Sequence, residues 1–369
     1  MCADVDGKCT LRAAIQEANA HPGEDIINII GAKNQKFPLK VVGANEDAAA
    51  TGDLDITSDV IIHGNQHAII VGKKDRVFQI FPGVHVELDG VAVTGGSTLT
   101  KETVADPLTV EGGGILNEGD LLMTYGIVAG NKAQTNGGGI ANRGTLTMSY
   151  TTIGKNKALG DGGGLYNGGI VTGDTKAGAV TFSKNTAGGH GGGIDNEHTV
   201  ELTSVTLSGN AAAADGGGIN NHDGGTATLQ NVTVKDNKSK DKTLGGGIAN
   251  VAASTVSITN TIVDTNKPLN CAGTLTSGGG NVEGTATCGF GGNDLANAGK
   301  LQMNGLKVDK GFGIVATYEL KAKSPAIDAG VDSGCPTLDA NARFQVDVPT
   351  VTNLHGSACD AGATEFQPG

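Results

Sequence analysis

One column of ionisable side chains in this 369-residue sequence could support acid–base or metal chemistry. Asp161, His190 and Asp215 each stand directly before a Gly-Gly-Gly triplet. If the interval between triplets is one turn of a regular coil, His190 lies between two carboxylates, which suits a metal ligand or a general base. The simpler interpretation is a ladder of surface charges in which His190 relieves repulsion between the aspartates.

A second column follows each repeat and contains Glu118, Arg143, Glu197 and His222. We interpret Glu118 beside Arg143, and Glu197 near His222, as solvated ion pairs worth less than about 1 kcal/mol each. Asp195 lies in a variable position of the repeat, and a single Asp there indicates little.

Paired carboxylates for glycoside hydrolysis could come from Asp161, Asp195 and Asp215, but any acidic scaffold offers such pairs. No Ser-His-Asp order, zinc-protease motif or calcium repeat is present. We therefore assign no catalytic residue, no metal ligand and no cofactor, and keep Ca²⁺ only as a candidate ion.

The elements that position these columns are six copies of Gly-Gly-Gly, an aliphatic residue, any residue and Asn. Successive copies recur with a period of about 25 residues, slightly longer in two of the steps, and such a period marks a repeat architecture. One unit contains three short strand patterns, which predicts an all-β chain: a single right-handed parallel β-helix with three short strands per coil. The copies are Gly112–Asn117, Gly137–Asn142, Gly162–Asn167, Gly191–Asn196, Gly216–Asn221 and Gly245–Asn250.

The glycines and asparagines of the repeat have structural explanations. Three glycines permit a tight corner where side chains would collide with the next coil. The stacked asparagines predict an amide ladder that satisfies buried turn backbone. A second Asn ends the third strand of each unit, at Asn131, Asn156, Asn185, Asn210, Asn237 and Asn266.

The two ends differ from the repeats. Residues 1–22 are expected to form a capping segment whose short helix places Leu11, Ile15 and Ala18 on one face, with Thr10 as N-cap and Pro22 beyond its end. Residues 23–270 are expected to form the β-helix, regular from 112 onward. Residues 271–369 are expected to contain the last, looser coils and an irregular C-terminal cap.

The six cysteines form three pairs that are close in sequence: Cys2 and Cys9, Cys271 and Cys288, Cys335 and Cys359. They predict three structural disulfides and an oxidising compartment, although six cysteines allow 15 connectivities and free buried thiols are the alternative. The net charge of −12 argues against nucleic acid as a partner. No apolar run is long enough to span a bilayer. We expect an exported protein whose leader is absent from this chain.

Several segments resemble known bacterial families. The segment "CTLRAAIQEAN" (9–19) resembles the CSLREA motif that opens many secreted β-helix proteins. The repeats are similar to the GGA(I/L/V) and FxxN repeats of chlamydial polymorphic outer membrane proteins, with "FSKN" (182–185) as the closest FxxN copy. "KSPAIDAG" (323–330) and "CDAGATEF" (359–366) resemble the choice-of-anchor Q segment. The resemblance implies a β-helix of the pectin-lyase-like superfold, exported to a bacterial surface, and carries over no catalytic residues.

These observations favour an extracellular or cell-surface structural or adhesive protein without catalytic activity. Its expected partners are surface glycans, matrix polymers or proteins of host or neighbouring cells. Two alternatives remain open. One is a polysaccharide lyase or glycoside hydrolase, which a groove lined by acids and Arg or Lys would favour. The other is a subunit that assembles with itself into a filament or surface layer.

Overall fold

The computed structural model of the chain describes residues 9–43, 47–100, 106–173, 178–241, 245–251, 253–308, 315–336, 339–341 and 359–365. These residues form a right-handed parallel β-helix with one α-helix, Leu11–Ala20, at its N-terminal end. Two short 3₁₀ helices span Pro107–Val110 and Asp332–Gly334. Among the described residues, no helix is both long and apolar enough to cross a membrane.

Three parallel sheets run along the helix. Sheet 1 has nine strands, and the six from Ile115–Asn117 to Gly245–Asn250 carry the aliphatic-x-Asn part of the repeat. Its strands are Leu54–Ile56, Phe78–Ile80, Ile115–Asn117, Ile140–Asn142, Leu165–Asn167, Ile194–Asn196, Ile219–Asn221, Gly245–Asn250 and Leu269–Ala272.

Sheet 2 has 18 strands and sheet 3 has five short strands. The strands of sheet 2 are Asp25–Asn28, Lys36–Pro38, Val60–Val71, His85–Thr94, Asp120–Thr124, Ile127–Ala129, Thr145–Ser149, Thr151–Gly154, Ile170–Gly173, Val180–Ser183, Thr199–Thr203, Val205–Ser208, Thr226–Gln230, Thr233–Lys235, Thr255–Thr259, Ile262–Asp264, Thr276–Ser277 and Val282–Glu283. The strands of sheet 3 are Lys132–Ala133, Lys157–Ala158, Thr186–Ala187, Ala211–Ala212 and Lys238–Ser239.

The regular coil has four strand segments rather than the three predicted from the sequence. In the first coils one long strand, such as His85–Thr94, spans the whole width of sheet 2 without a break. In later coils a residue with positive φ, such as Tyr150 or Ser204, divides that strand into two. We call the segments before and after this corner the first and second halves of sheet 2. The predicted third strand is thus the second half, followed by a two-residue strand in sheet 3.

Two asparagine ladders run inside the coils. In the first, the side chain of each asparagine donates to the next, as from Asn142 Nδ2 to Asn167 Oδ1 at 2.8 Å. In the second, Asn185 Oδ1 accepts from both the backbone N and the side chain of Asn156. The members from Asn131 to Asn237 are at most 1 % exposed. These amides therefore satisfy buried backbone groups at the corners, where a β ladder provides no partner.

The Gly-Gly-Gly triplet is required by the closeness of neighbouring coils. Gly162 has φ +63°, a left-handed conformation that favours glycine. A Cβ on Gly163 would lie 2.5 Å from the carbonyl oxygen of Gly192 in the next coil, and a Cβ on Gly164 would lie 2.6 Å from that of Gly193. Both distances are shorter than any normal contact, so the triplet is a packing requirement.

The N-terminal helix covers the first coils as expected. The Thr10 side chain caps it by accepting from Ala13 N, and Ile15 and Ala18 are buried against the core. Arg12 donates to the carbonyl oxygens of Ala49, Gly52 and Asp53, which fixes the helix to the loop that precedes sheet 1.

The C-terminal region does not simply extend the coils. Beyond the last parallel strand, Lys307–Val308 pairs antiparallel with Ala316–Thr317. The described residues 315–336, 339–341 and 359–365, which we call the C-terminal strap, pack on the outer side of the second half of sheet 2. Ala316 N donates to Thr181 Oγ1, Tyr318 Oη contacts Ser208 Oγ at 2.7 Å, and Ala363 N donates to Thr233 Oγ1. The strap thus crosses successive coils.

Two predicted disulfides are confirmed. Cys271 is bonded to Cys288, and Cys335 to Cys359 within the C-terminal strap. In the third predicted pair, Cys2 lies outside the described residues.

The insertions that lengthen two coils occur at corners of the helix. The first insertion falls between Gly173 and Val180. Met148 pairs with Gly173, and Thr151 pairs with Val180. The second of these coils therefore has more residues between the two paired positions than the first. The second insertion is divided, and part of it lies between Asn221 and Thr226. The step from Thr199 to its partner Thr226 is longer than the step from Asn196 to Asn221. The extra residues therefore form a turn at 222–225.

Candidate functional site

A band of polar side chains runs along the outer side of sheet 1. Alternation along each strand directs Ile194 and Ile219 into the core and Asp195 and Asn220 outward. These outward residues are nevertheless buried, since Asp195 is 0 % and Asn220 1 % exposed. We call this band the polar stripe. It comprises Tyr166, Asp195 and Asn220, flanked by Glu111, Glu118, Arg143, His190, Glu197, Asp215 and His222.

An ion pair crosses the stripe between its two flanks. Arg143 donates to both carboxylate oxygens of Glu111 at 2.7 and 2.9 Å, and the Glu111 side chain is only 2 % exposed. Burial raises the pKa of Glu111, and the guanidinium opposes that shift. Arg143 also lies 5.4 Å from the ring centre of Tyr166, within cation–π range. The sequence-based interpretation paired Arg143 with Glu118, so the observed partner differs.

His222 lies over the buried carboxylate of Asp195. Its Nε2 is 3.0 Å from Asp195 Oδ2, and Asp195 is fully buried. Asn220 Nδ2 donates to the other oxygen, Asp195 Oδ1, at 2.9 Å. The hydrogen bond to Asp195 raises the pKa of His222 to about 9. Asp195 is therefore the main partner of His222, rather than Glu197 as the sequence indicated.

Glu197 completes this group from the same coil. Its Oε1 is 3.9 Å from His222 Nε2, and its Oε2 accepts a hydrogen bond from Tyr166 Oη at 2.6 Å. Burial, together with this bond to Glu197, raises the pKa of Tyr166. Asp195, Glu197 and His222 each offer one ligand atom, and these atoms lie within 4.8 Å of one another. Three such residues are sufficient in number for a metal site with open positions.

The structure separates the members of the predicted ionisable column. Asp161 Oδ1 accepts from the backbone N of His190, so Asp161 supports the turn and does not face the imidazole. His190 Nδ1 lies 3.7 Å from Asp215 Oδ2, and burial raises the pKa of Asp215. The His190 and His222 rings face each other across the stripe at 6.2 Å.

A cavity of about 250 Å³ opens at the N-terminal end of the same side of the helix. Burial and the nearby Asp75 raise the pKa of Asp53 to about 8, although Arg76 lies 3.8 Å away. Arg76 also donates to Gln79 and to the carbonyl of Leu108. The cavity is lined by Asp47, Asp53, Asp75, Arg76, Gln79, Asp106, Leu108 and Thr109.

The sequence contained a signal for the Asp195 group that was not used. Residues two apart in a strand point the same way, so Asp195 and Glu197 share a side, and the next coil brings Asn220 and His222 onto it. The inserted turn at 222–225 could not be located from the repeat spacing alone. Chemically, the stripe offers charged donors and acceptors to a polar ligand, and the Asp195 group offers ligands to a cation.

One known repeat family matches part of the chain. Residues 179–197 match the repeat of the Chlamydia polymorphic membrane proteins. The matched segment contains buried Phe182, ladder residue Asn185, and Asp195 and Glu197 of the stripe. The match covers a small part of the chain. It therefore supports only the predicted resemblance of the repeats to this family. The resemblance of the two ends to the CSLREA and choice-of-anchor Q segments stays a prediction. No curated protein and no solved structure matches the chain.

Proposed function

We propose that this chain is an extracellular or cell-surface adhesive β-helix that binds glycans along the polar stripe. The match to a repeat of chlamydial membrane proteins supports a surface location, and the two disulfides of the described residues suit an oxidising compartment. Fold alone does not give the ligand, because β-helices serve many functions.

The observation that carries the proposal is the concentration of partly buried charged groups on one side of the helix. On the opposite side, the second half of sheet 2 is occupied by the C-terminal strap. The first half presents mainly short hydroxyl side chains, such as Thr147, Thr226 and Thr228. Within the described parts of the coils, the stripe combines carboxylates, a guanidinium and imidazoles within hydrogen-bonding range of each other.

The charge of the stripe selects among glycans. Glu111 is neutralised by Arg143, whereas Glu118, Glu197 and Asp215 leave an acidic surface beside two histidines. Such a surface repels uronic and sialic acids and suits neutral sugars, whose hydroxyls donate to carboxylates. We therefore expect neutral polysaccharides to be bound.

A glycan array followed by binding measurements with the selected glycan tests the proposal. The double variant Glu118→Gln with His190→Ala should bind the glycan at least about fivefold more weakly, a loss of about 1 kcal/mol. Glu201→Gln, on the exposed Thr-rich side, is the matched control and should bind like the unchanged protein. Failure of the unchanged protein to bind any glycan, or equal loss in the control, would refute the assignment.

A polysaccharide-active enzyme remains the second candidate because of one observation. Oxygens of Asp195 and Glu197 lie within 4.8 Å of each other, close to the separation of about 5 Å at which retaining glycoside hydrolases hold their two carboxyl groups. Asp195 is fully buried beneath His222, which argues against direct attack on a sugar. We expect no release of reducing ends from polysaccharides. Turnover that disappears in Asp195→Asn would instead establish the enzyme.

A further inference from the structure

Three ligand atoms converge at one point of the polar stripe. His222 Nε2 lies 3.0 Å from Asp195 Oδ2 and 3.9 Å from Glu197 Oε1. A tetrahedral zinc ion with bonds of about 2.0–2.1 Å separates its ligand atoms by about 3.3 Å. The observed separations of 3.0 and 3.9 Å lie on either side of that value, and the two carboxylate oxygens lie within 4.8 Å of each other, so a small ion could contact all three atoms once the carboxylates move towards it.

Each of the three residues is held by a second partner on its far side. Asp223 Oδ2 lies 3.1 Å from His222 Nδ1, as in the carboxylate–histidine–metal arrangement. Asn220 binds the remaining oxygen of Asp195, and Tyr166 binds the remaining oxygen of Glu197. These contacts orient the converging atoms towards one another and leave the outer side open, since the Glu197 side chain is 33 % exposed.

A buried acceptor beside the group is left without a hydrogen bond. Asn220 is 1 % exposed, and its Nδ2 donates to Asp195, but its Oδ1 accepts no hydrogen bond within the described part of the chain. A buried amide oxygen without a donor is costly, and a bound cation or its water would satisfy it. Across the stripe, the buried His190 Nδ1 also has no hydrogen-bond partner among described groups.

The local charge favours a divalent cation. Asp195, Glu197 and Asp223 place three carboxylates around one imidazole. Arg143, the guanidinium over Tyr166, forms its ion pair with Glu111 rather than with these three carboxylates. The mixture of one imidazole nitrogen and two carboxylate oxygens suits a transition metal ion better than Ca²⁺, which takes six to eight oxygen ligands.

We propose that Asp195, Glu197 and His222 form a binding site for a divalent transition metal ion, with Zn²⁺ as the expected occupant. Asn220, Tyr166 and Asp223 position the ligands. The ion leaves at least one coordination position facing solvent across the stripe, where His190 lies. The site goes beyond glycan binding and does not depend on it.

Isothermal titration of the chelator-treated full chain with ZnCl₂, MnCl₂ and CaCl₂ tests the site. We expect one Zn²⁺ per chain, bound more tightly than Ca²⁺, and a visible cobalt spectrum typical of low coordination number when CoCl₂ is used. His222→Ala should abolish binding of this ion. Glu197→Gln, at a partly exposed position that should tolerate the change, should weaken it at least about tenfold, and Tyr166→Phe should weaken it less.

A second His–Asp pair in the chain provides the matched control. His85 Nδ1 lies 2.8 Å from Asp120 Oδ2 on sheet 2, outside the three-residue group. His85→Ala should leave Zn²⁺ affinity and stoichiometry unchanged. Equal Zn²⁺ binding by His222→Ala or Glu197→Gln, a preference for Ca²⁺, or no binding by the unchanged chain would overturn the proposal. If the unchanged chain binds Zn²⁺ but binds no glycan, the proposed function is refuted and the metal site is not.

Discussion

At the scale of single residues, the side of the helix that carries sheet 1 holds ionisable groups under unusual constraint. Glu111, Asp195 and Asp53 are all nearly or fully buried, yet each faces a cation or an imidazole. Buried charges of this kind contribute little to net stability and tend to be found where a protein binds or reacts. The pH dependence of stability should therefore report on them.

Asp53→Asn should become more stable relative to the unchanged protein as pH rises from 4 to 8. Burial raises the pKa of Asp53 to about 8 in the folded state. A raised carboxyl pKa favours folding below the unfolded pKa of about 4, and that stability is lost as pH rises towards 8. One pKa unit corresponds to about 1.4 kcal/mol. The unfolding free energy of Asp53→Asn relative to that of the unchanged protein should therefore rise by more than about 1 kcal/mol between pH 4 and pH 8.

Urea unfolding of both proteins at pH 4, 6 and 8 measures this difference directly. Titrations of the other groups largely cancel, since both proteins contain them. A difference in unfolding free energy that stays constant across the three pH values would contradict the assigned pKa.

At the scale of elements, the asparagine ladders connect each coil to the next. The single side chain of Asn185 makes four hydrogen bonds. Its Oδ1 accepts from Asn156 N and Nδ2, and its Nδ2 donates to Ile153 O and Asn210 Oδ1. The ladders explain why coil register is maintained through corners that interrupt the sheets. They also make each coil depend on its neighbours, as expected for a repeat protein.

Asn185→Ala should therefore lower the free energy of unfolding by more than about 3 kcal/mol. The change leaves several buried donors and acceptors without partners, each worth about 1–3 kcal/mol. Thr228→Ala, an exposed outward position on sheet 2, is the control and should change stability by less than about 0.5 kcal/mol. Denaturant midpoints from circular dichroism give both values, and equal effects of the two substitutions would contradict a supporting role for the ladder.

The sequence predicted the coil because its determinants are local and repeated. Glycine at a crowded corner and asparagine at a buried turn are required in every coil, so their spacing was sufficient to identify the fold. The alternation that places Asp195, Glu197 and His222 on one side could be read from the sequence, but the burial of Asp195 could not. Without that burial, Asp195 looked like an ordinary substitution in a variable position.

At the scale of the whole molecule, the C-terminal strap is the feature that the sequence indicated least. Thr181 and Ala316 are separated by 135 residues, and no periodic pattern connects them. The strap joins coils that are otherwise linked only through neighbours. Its packing brings Val315, Ala340 and Ala363 against Ala179, with Ile127 and Tyr150 packed beside them.

Replacing both Cys335 and Cys359 by Ser should loosen the strap without unfolding the coils. The disulfide links residues 24 apart in the sequence. A crosslink that closes a loop of this length contributes about 3 kcal/mol to the free energy of unfolding of the segment it closes. Hydrogen–deuterium exchange should accelerate at Ala316 and Ala363, while Asn156 and Asn185 stay protected.

The matched control replaces Cys271 and Cys288, which lie at the end of the coils rather than in the strap. It should leave exchange at Ala316 unchanged. Uniform acceleration across the coils in the Cys335 and Cys359 variant would instead show that the strap and the coils unfold together.

Because the strap covers only one side of the β-helix, the two long sides of the molecule differ. One side along its length is covered by its own chain, and the side that carries sheet 1 holds the charged stripe. When such a β-helix lies lengthwise on a surface that it binds, only some rotations about its long axis place the stripe against that surface. Contact through the stripe would turn the strap outward, so the strap would form the side that neighbouring molecules meet.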